Sequence, residues 1–253
     1  MPYSNNHGVR IHYDVIGTGS PLVLHHGTLG SWEDWPDFGY VDVLQRDHQL
    51  ILLDARGHGA SDKPHEPGAY DLRLRVADVT SVLDELQIPQ AHYFGYSLGG
   101  WVGFGLATYA PERLTSLILG GAHPYAEKMQ AFRRFMSPIP LAFLAFAESV
   151  FGHYATPARR KRLLANDLKA LKVLTQDRTS LADVLPTIHT PCLLFAGEDD
   201  PRFPLVREGH KHIANATFVS LPGCDHIAAL AQSELVLPHV VSFLNKLRER
   251  SHS

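Results

Sequence analysis

The feature that most constrains this chain is the sequence Gly-Tyr-Ser-Leu-Gly at residues 95–99, which lies between two regular patterns. An apolar run from residue 91 predicts a buried strand before it, and small residues at 100–109 predict a helix after it. A sharp turn between strand and helix holds a serine in a strained conformation, and the flanking glycines leave room for neighbouring backbone. The sequence therefore predicts a reactive Ser97 hydroxyl at the carboxyl end of a sheet, near helix N–H groups that favour an oxyanion. The structural alternative is that Ser97 only ends a strand in a tight turn.

Composition limits the class of protein and its partners. The 253 residues are 45% hydrophobic and 19% charged, with a net charge of −3, which is typical of a globular domain with a substantial core. The single basic run, 159–162, is interpreted as a solvated helix face, which argues against nucleic acid as a partner. The start of the chain lacks the pattern of a signal peptide, and no apolar run is long enough for a membrane span. We expect a cytoplasmic protein with a small-molecule partner and no membrane contact, in an oligomeric state that composition leaves open.

Strand and helix patterns alternate along most of the chain. The predicted elements are strands at 22–24, 49–53, 114–119, 191–195 and 218–221, and helices at 31–45, 72–86 and 233–248, with Asp71 as an N-cap. This order predicts an α/β protein with a mainly parallel, twisted sheet and helices on both faces. The alternation stops at 126–175, where we expect three helices at 126–136, 141–151 and 157–175. We predict a core domain formed by 1–125 and 176–253 and a helical cap formed by 126–175, above the sheet edge where such folds bind ligands.

An acid and a histidine are expected at the ends of later strands, because a serine is a poor nucleophile until an oriented base takes its proton. Three consecutive acids end the strand at 191–195, and Asp200 is favoured because Pro201 forces it into an extended backbone. Asp199 competes with it, and an exposed acidic loop is the structural alternative. His226 follows the last strand and the acid, which distinguishes it from the other histidines of the chain.

Two backbone N–H groups are expected to hold the oxyanion. Leu98 directly follows the serine, and Thr28 follows the strand at 22–24, where Gly27 allows a close approach. His25 and His26 are adjacent, a poor arrangement for one metal ion, and no third ligand is evident. We predict no metal and no cofactor. The polar segment 54–62 is interpreted as an Arg–carboxylate network that fixes a glycine-rich loop, and both cysteines as buried thiols.

Five segments together resemble the α/β-hydrolase fold superfamily over nearly the whole chain, in its branch of serine esterases, lactonases and cofactor-free haloperoxidases. They lie at residues 26–27, 54–61, 95–99, 197–200 and 226. The resemblance implies Ser97 as nucleophile, Asp200 as orienting acid, His226 as base, Thr28 and Leu98 as oxyanion donors, and a small helical cap inserted after the sixth strand. Asp225 departs from the pattern, since glycine often precedes the histidine in this family.

In this family, serine at the turn of residues 95–99 implies an acyl-serine intermediate. Members with aspartate at that position form an alkyl ester instead. We predict a serine hydrolase that cleaves a carboxylic ester of a small to medium, mostly apolar substrate, because the cap is apolar and shows no evident cationic clamp. Lactonase of the enol-lactone type, haloperoxidase or perhydrolase activity and, more weakly, carbon–carbon hydrolysis are alternatives, and a hydrolase-like receptor for a small ligand is an alternative of another class. The side chains predicted to bind substrate, or else to pack the cap, are Leu29, Trp32, Tyr96, Phe135, Phe143 and Phe146.

Overall fold

A computed structural model describes residues 2–136 and 139–250, with the backbone alone at residues 131 and 135. The strands are β1 (Tyr3–Asn6), β2 (Val9–Ile16), β3 (Ser20–His25), β4 (His48–Leu53), β5 (Ala91–Tyr96), β6 (Leu114–Gly120), β7 (Cys192–Gly197) and β8 (Ala216–Leu221). The helices are α1 (Asp34–Asp37), α2 (Tyr40–Leu44), α3 (Leu72–Glu85), α4 (Leu98–Tyr109), α5 (Gln130–Phe135), α6 (Pro140–Phe151), α7 (Pro157–Ala165), α8 (Leu168–Leu174), α9 (Phe203–His210), α10 (Ala228–Ala231) and α11 (Ser233–Arg250). Short 3₁₀ turns lie at Pro67–Tyr70, Pro111–Arg113, Gly152–Tyr154 and Ala182–Thr187.

The eight strands form one sheet in the order β1-β2-β4-β3-β5-β6-β7-β8. The β1–β2 and β2–β4 pairs are antiparallel, and every pair from β4 to β8 in that order is parallel. The carboxyl ends of the parallel strands therefore share one edge, where a ligand site is expected. The predicted α/β architecture with a mainly parallel sheet is confirmed.

Helices cover both faces of the sheet because side chains alternate along each buried strand. On β3, Val23 packs with α3 and α4, whereas Leu22 and Leu24 pack with α1, α2 and α11 on the other face. The two apolar clusters sandwich the sheet. A third cluster, in which Phe143, Phe151 and Leu163 are buried, lies among the helices that follow β6.

Several predicted elements differ from the structure. The helix expected over 31–45 is two short helices, α1 and α2, because Gly39 takes a left-handed backbone (φ +82°) between them. The helix expected over 157–175 is divided into α7 and α8, because Asn166 leaves the helical conformation and the Asp167 carboxylate caps α8 through the N–H groups of Lys169 and Ala170. The strand β1 and the helix α9 were not predicted. Asp71 caps α3, as expected.

No helix in the described part of the chain, 2–136 and 139–250, combines the length and the apolar character needed to cross a bilayer.

The glycines around Ser97 are required by close backbone contacts. A Cβ atom on Gly99 would lie 2.1 Å from the carbonyl oxygen of His25, and one on Gly95 would lie 2.3 Å from the carbonyl oxygen of Gly99. Neither position has a positive φ, so space rather than backbone conformation excludes a side chain there. The strand β3, the strand β5 and the start of α4 can pack this closely only without those side chains.

We expect Gly99→Ala to lower the free energy of unfolding by more than about 2 kcal/mol, because the added methyl group would displace the backbone of β3. Urea unfolding followed by circular dichroism measures the change. Gly68→Ala is the matched control, since nothing lies within 4 Å of a Cβ atom there. Equal midpoints for the two variants would contradict the packing argument.

Candidate active site

Ser97 lies on the sharp turn between β5 and α4, as the motif predicts. Its backbone has φ +53° and ψ −102°, a conformation that is rare for a residue with a side chain. Two hydrogen bonds hold the turn: Ser97 N–H donates to Gly120 O (2.8 Å), and Trp101 N–H donates to Ser97 O (3.0 Å). Because the strain is held by backbone on both sides, the hydroxyl has a defined position at the carboxyl edge of the sheet.

The structure brings Ser97, His226 and Asp200 together in one hydrogen-bonded line. His226 Nε2 is 3.0 Å from Ser97 Oγ, and His226 Nδ1 is 2.5 Å from Asp200 Oδ2. Ser97 and His226 are 129 positions apart in the chain, and Asp200 and His226 are 26 apart. They meet because each follows a strand whose carboxyl end lies on the same edge of the sheet. The line can pass a proton from the hydroxyl to the imidazole while the carboxylate fixes the ring.

Asp200 is buried, with no exposure of its side chain, and the imidazole of His226 is partly exposed. Burial alone would raise the pKa of Asp200, but the hydrogen bond and the charge of His226, together with the Arg202 N–H and guanidinium, lower that pKa below its ordinary value. Arg202 N–H donates to Asp200 Oδ1 at 2.9 Å. The carboxylate is therefore ionised at neutral pH and accepts from Nδ1. The neighbouring Asp199, the competing acid, is exposed and lies outside this line.

Three contacts position the His226 loop. The Tyr96 hydroxyl, next to the serine, donates to the His226 carbonyl oxygen at 2.5 Å. The Asp225 carboxylate accepts from the N–H groups of Ile227 (2.9 Å) and Ala228 (2.8 Å), so it caps the start of α10. Gly121 has φ +58°, and a Cβ atom there would lie 2.9 Å from His226 Cε1. The acid that replaces the usual glycine before the histidine thus has a structural role.

The predicted oxyanion donors lie beside the serine. Leu98 is the first residue of α4, so its N–H has no partner within the helix. Thr28 lies on the loop after β3, and its N–H donates to no protein acceptor in the described part of the chain. That loop passes close to the elbow, because a Cβ atom on Gly27 would lie 3.3 Å from Ser97 Cβ. Both amides are available to a ligand at Ser97.

A cavity of about 270 Å³ opens at this site, and we call it the active-site cavity. It is lined by Ser97, His226, Thr28 and Tyr96, together with apolar side chains from the core and from α5, α6 and the chain leading to α5. Those apolar side chains include Leu29, Met129, Phe132, Val150, Phe151 and Ile227. Its size and apolar walls suit a small organic substrate.

The predicted substrate-binding residues are placed differently from one another. Leu29 and Tyr96 line the active-site cavity. Trp32 and Arg159 instead line a neighbouring cavity of about 280 Å³, which shares Leu29 and Asp34 with the active-site cavity. Phe143 is fully buried within the third apolar cluster, among the helices that follow β6, and can contact no ligand there.

Phe146 and Phe135 are the last two of the predicted substrate-binding residues. Phe146 is absent from the cavity lining and lies edge-to-face against Phe132, with ring centroids 5.8 Å apart. Helical periodicity does not distinguish the face of a cap helix that meets the cavity from the face that packs inside the cap. The side chain of Phe135 lies outside the described part of the structure.

The sequence reasoning missed charged residues in the cavity. Arg178 and Arg202 line it, and neither belongs to the predicted cap or to a recognised motif. Asp34 also lines it and is ion-paired with Arg159 at 2.9 Å. The prediction of no cationic clamp concerned the cap segment alone, and Arg178 and Arg202 both lie outside that segment.

The polar segment 54–62 is held by hydrogen bonds within it and by ion pairs to other elements. Arg56 is ion-paired with Asp78 on α3, and Asp62 is ion-paired with Arg10 at 3.0 Å. The Asp54 carboxylate accepts from Trp32 N–H (2.9 Å) and Ala60 N–H (2.9 Å), and it also bonds His12 Nδ1 (2.8 Å). Arg–carboxylate pairs with partners on other elements therefore fix this glycine-rich loop, which agrees with the predicted structural role.

The two remaining polar predictions concern histidines and cysteines. His25 Nδ1 bonds the Tyr93 hydroxyl at 2.6 Å, and His26 Nε2 accepts from Ala55 N–H at 3.0 Å. Both histidines therefore act in the packing of β3. Cys192 and Cys224 are free and buried, as expected.

Comparison with known proteins adds to this geometry. Residues 20–153, more than half of the chain, match the family model described as the alpha/beta hydrolase fold. A Bacillus subtilis (strain 168) protein named "Putative 2-succinyl-6-hydroxy-2,4-cyclohexadiene-1-carboxylate synthase" is 27% identical over 95% of this chain and 96% of its own. A Pseudomonas syringae pv. syringae (strain B728a) protein named "Putative carbamate hydrolase RutD" is 30% identical over 77% of this chain and 80% of its own. The solved structure of the esterase RhEst1 from Rhodococcus sp. ECU1013 is 25% identical, covers 97% of this chain and 98% of its own, and superposes with a TM-score of 0.84.

The lowered pKa of Asp200 predicts a pH dependence of stability. A carboxylate whose pKa is lower in the folded state stabilises the fold above its unfolded pKa of about 3.9, and that contribution is lost as the pH falls through the folded value. We expect the wild type to lose stability relative to Asp200→Asn as the pH falls below about 4. Urea unfolding between pH 3 and 6 measures it, with Asp199→Asn as the control for the exposed neighbouring carboxylate. Parallel curves for wild type and Asp200→Asn would contradict the assignment.

Proposed function

Because the chain belongs to the α/β-hydrolase fold family, we propose that it is a serine hydrolase that cleaves a carboxylic ester through an acyl-serine intermediate. One observation carries the proposal: the Ser97 hydroxyl, the His226 imidazole and the Asp200 carboxylate form one hydrogen-bonded line on the wall of a small cavity. In this arrangement the serine is activated by a base whose own orientation is fixed by a buried acid.

The first step forms the acyl-enzyme. His226 Nε2 takes the proton of Ser97 Oγ as the oxygen attacks the ester carbonyl carbon. Asp200 accepts from Nδ1–H, which keeps the imidazole in the tautomer with a free Nε2 and stabilises the imidazolium. The imidazolium then protonates the leaving alcohol as the carbon–oxygen bond breaks.

The negative charge of the tetrahedral intermediate falls on the former carbonyl oxygen. The N–H groups of Thr28 and Leu98 are the donors in reach of that oxygen, and the amino terminus of α4 adds a favourable dipole. In the second half-reaction, His226 takes a proton from water, the hydroxide attacks the acyl-serine, and the proton returns to Ser97 as the acid product leaves. The same three side chains and two N–H groups therefore serve both half-reactions.

We assign residues 126–175 as the cap that determines the substrate. Met129, Phe132, Val150 and Phe151 from this segment line the cavity, and their side chains meet those of the core above Ser97. A cavity of about 270 Å³, with apolar walls where this segment lines it, favours acyl or alcohol groups of a few carbon atoms. Lactones of similar size present the same carbonyl to the same donors, so they belong in the substrate panel.

A carbamate is the second candidate substrate. The relative that is 30% identical over 77% of this chain is named a carbamate hydrolase, and a carbamate carbonyl would place its oxygen on the same two amides. Parallel assays of a 4-nitrophenyl ester and a 4-nitrophenyl carbamate of matched size decide between them, because the released phenol is the same.

We expect Ser97→Ala and His226→Ala to lower kcat for 4-nitrophenyl butyrate by about 10⁴-fold or more, with a smaller loss for Asp200→Asn. The released 4-nitrophenol is measured by its absorbance. A fluorophosphonate probe is expected to label the wild type, and to leave Ser97→Ala unlabelled.

Ser220→Ala is the matched control, because its hydroxyl is exposed and bonds Glu198 at 2.5 Å, away from the cavity. Comparable rates for wild type and Ser97→Ala would refute the serine mechanism. A wild type that turns over no ester, lactone or carbamate but binds a small ligand tightly would identify a receptor instead.

A further inference from the structure

Two arginines that the proposed reaction does not use line the cavity of the nucleophile. Arg178 lies on the chain between α8 and β7, and Arg202 lies just before α9. Both are ion-paired with one carboxylate, since Glu127 is 3.1 Å from Arg178 Nη1 and 2.6 Å from Arg202 Nη2. Two guanidinium groups thus share the Glu127 carboxylate at the wall of this cavity.

Arg178 is held rigidly in this position. The Arg178 and Glu127 main chains form an antiparallel bridge, with hydrogen bonds of 2.9 and 3.1 Å. The guanidinium lies over the Trp101 ring, 5.1 Å from its centroid, and the side chain is 6% exposed. A side chain fixed at both its backbone and its head is already ordered for a ligand, so binding costs little conformational entropy.

The Arg178 guanidinium has N–H groups that donate to no protein acceptor in the described chain. In the described chain its side chain makes one hydrogen bond, from Nη1 to Glu127, and leaves Nε and Nη2 without a protein acceptor. Neither of these two nitrogens is fully buried, whereas Arg202 Nε is buried without a hydrogen-bond partner. The free N–H groups of Arg178 therefore open onto the cavities that this residue lines.

Arg178 lines two cavities at once. One is the active-site cavity, and the other, which we call the Trp101 cavity, has about 180 Å³ and is bordered by Thr28, Leu98, Trp101 and Arg75. Arg178 is thus next to the oxyanion donors on one side and in the cavity of Ser97 on the other.

Arg75 adds a second, independent observation. It is 3% exposed and donates to the carbonyl oxygens of Tyr70 and Leu174, both at 2.9 Å. No carboxylate in the described chain is ion-paired with it, and its Nη1 is buried without a partner. The Asp78 carboxylate acts on the charge of Arg75 but is ion-paired with Arg56, so these two arginines share one counter-ion and a further anion nearby is favourable.

Carboxylates near these arginines are already engaged. Asp177 borders the Trp101 cavity and is ion-paired with Lys128 at 3.3 Å and Arg133 at 3.2 Å. Asp71 also borders it and accepts from the N–H of Arg73 as the cap of α3. The protein thus leaves an excess of positive charge around Arg178.

We propose that the substrate carries a carboxylate, and that Arg178 binds it with its free Nε and Nη2 groups while Glu127 holds the guanidinium in place. This deepens the proposed ester hydrolysis and rests on it: the site takes an acid-bearing ester or lactone, with the apolar part of the substrate against the cap. Two parallel N–H groups of a guanidinium match the two oxygens of a carboxylate, a geometry that lysine lacks.

Matched substrate pairs test the proposal. The 4-nitrophenyl monoesters of succinic, glutaric and adipic acid are each compared with the 4-nitrophenyl ester of the fatty acid of equal carbon number, after subtraction of the enzyme-free rate. A second pair, 4-carboxyphenyl and phenyl butyrate, places the carboxylate on the leaving group. We expect kcat/KM to favour the carboxylate in at least one pair by about tenfold or more.

Substitutions identify the residue responsible. Arg178→Met is expected to remove the preference for the carboxylate, which is measured as the ratio of kcat/KM between the two members of a substrate pair within the same variant. Circular dichroism and the urea midpoint report whether that variant is folded. Arg178→Lys is expected to restore part of the preference, mostly in KM, because it keeps the charge but not the paired N–H groups. Arg207→Met, which removes an exposed arginine from α9, is the matched control and is expected to retain the preference.

The outcomes separate this inference from the proposed function. Wild type that hydrolyses the neutral esters without preferring the carboxylate in any pair overturns the inference and leaves the serine hydrolase intact. A preference that survives in Arg178→Met also overturns it. Absence of turnover of every substrate by the wild type overturns the proposed function, and the inference with it.

Discussion

The site depends on how closely the backbones of β3, β5 and α4 approach one another. Gly95 and Gly99 leave no space for a Cβ atom, and Gly27 brings the β3 loop within contact of Ser97. That approach holds Ser97 in its strained conformation and brings the loop of Thr28 beside the start of α4 at Leu98. The strain is therefore maintained by the sheet and the helix behind it, and the donors and the hydroxyl share one rigid frame.

Much of the fold, and the hydrogen-bonded chain of Ser97, His226 and Asp200, could be predicted from short sequence patterns. The strands are apolar runs that end in turn residues, and Ser97, Asp200 and His226 each follow a strand, so the parallel sheet brings them to one edge. The division of the helix expected at 157–175 was not predicted, although Asp167 is a good N-cap residue, because the apolar spacing continues across the break.

The cavity walls could not be predicted because they depend on tertiary packing. Phe143 and Phe132 are both aromatic residues of the same helical segment, yet one is sealed inside the cap and the other faces Ser97. Arg56 likewise finds its carboxylate on α3 rather than within its own loop. In each case a helix rotation or a partner from a distant element decides the role, and neither leaves a periodic signal in the sequence.

The groups of the proposed mechanism and the side chains proposed to select the substrate come from different parts of the chain. Ser97, Asp200 and His226 lie on turns that follow strands of the sheet, whereas apolar walls of the cavity come from the helices after β6. Arg178 belongs to neither set, since it lies on the segment that returns from those helices to β7 and is tied by a β-bridge to Glu127 at their start. This bridge joins the chain before α5 to the chain after α8, so Arg178 is tied by its backbone where the two ends of this helical segment meet. In the proposed site, the position of the cation is therefore set by a backbone bridge and not by the side chains of those helices.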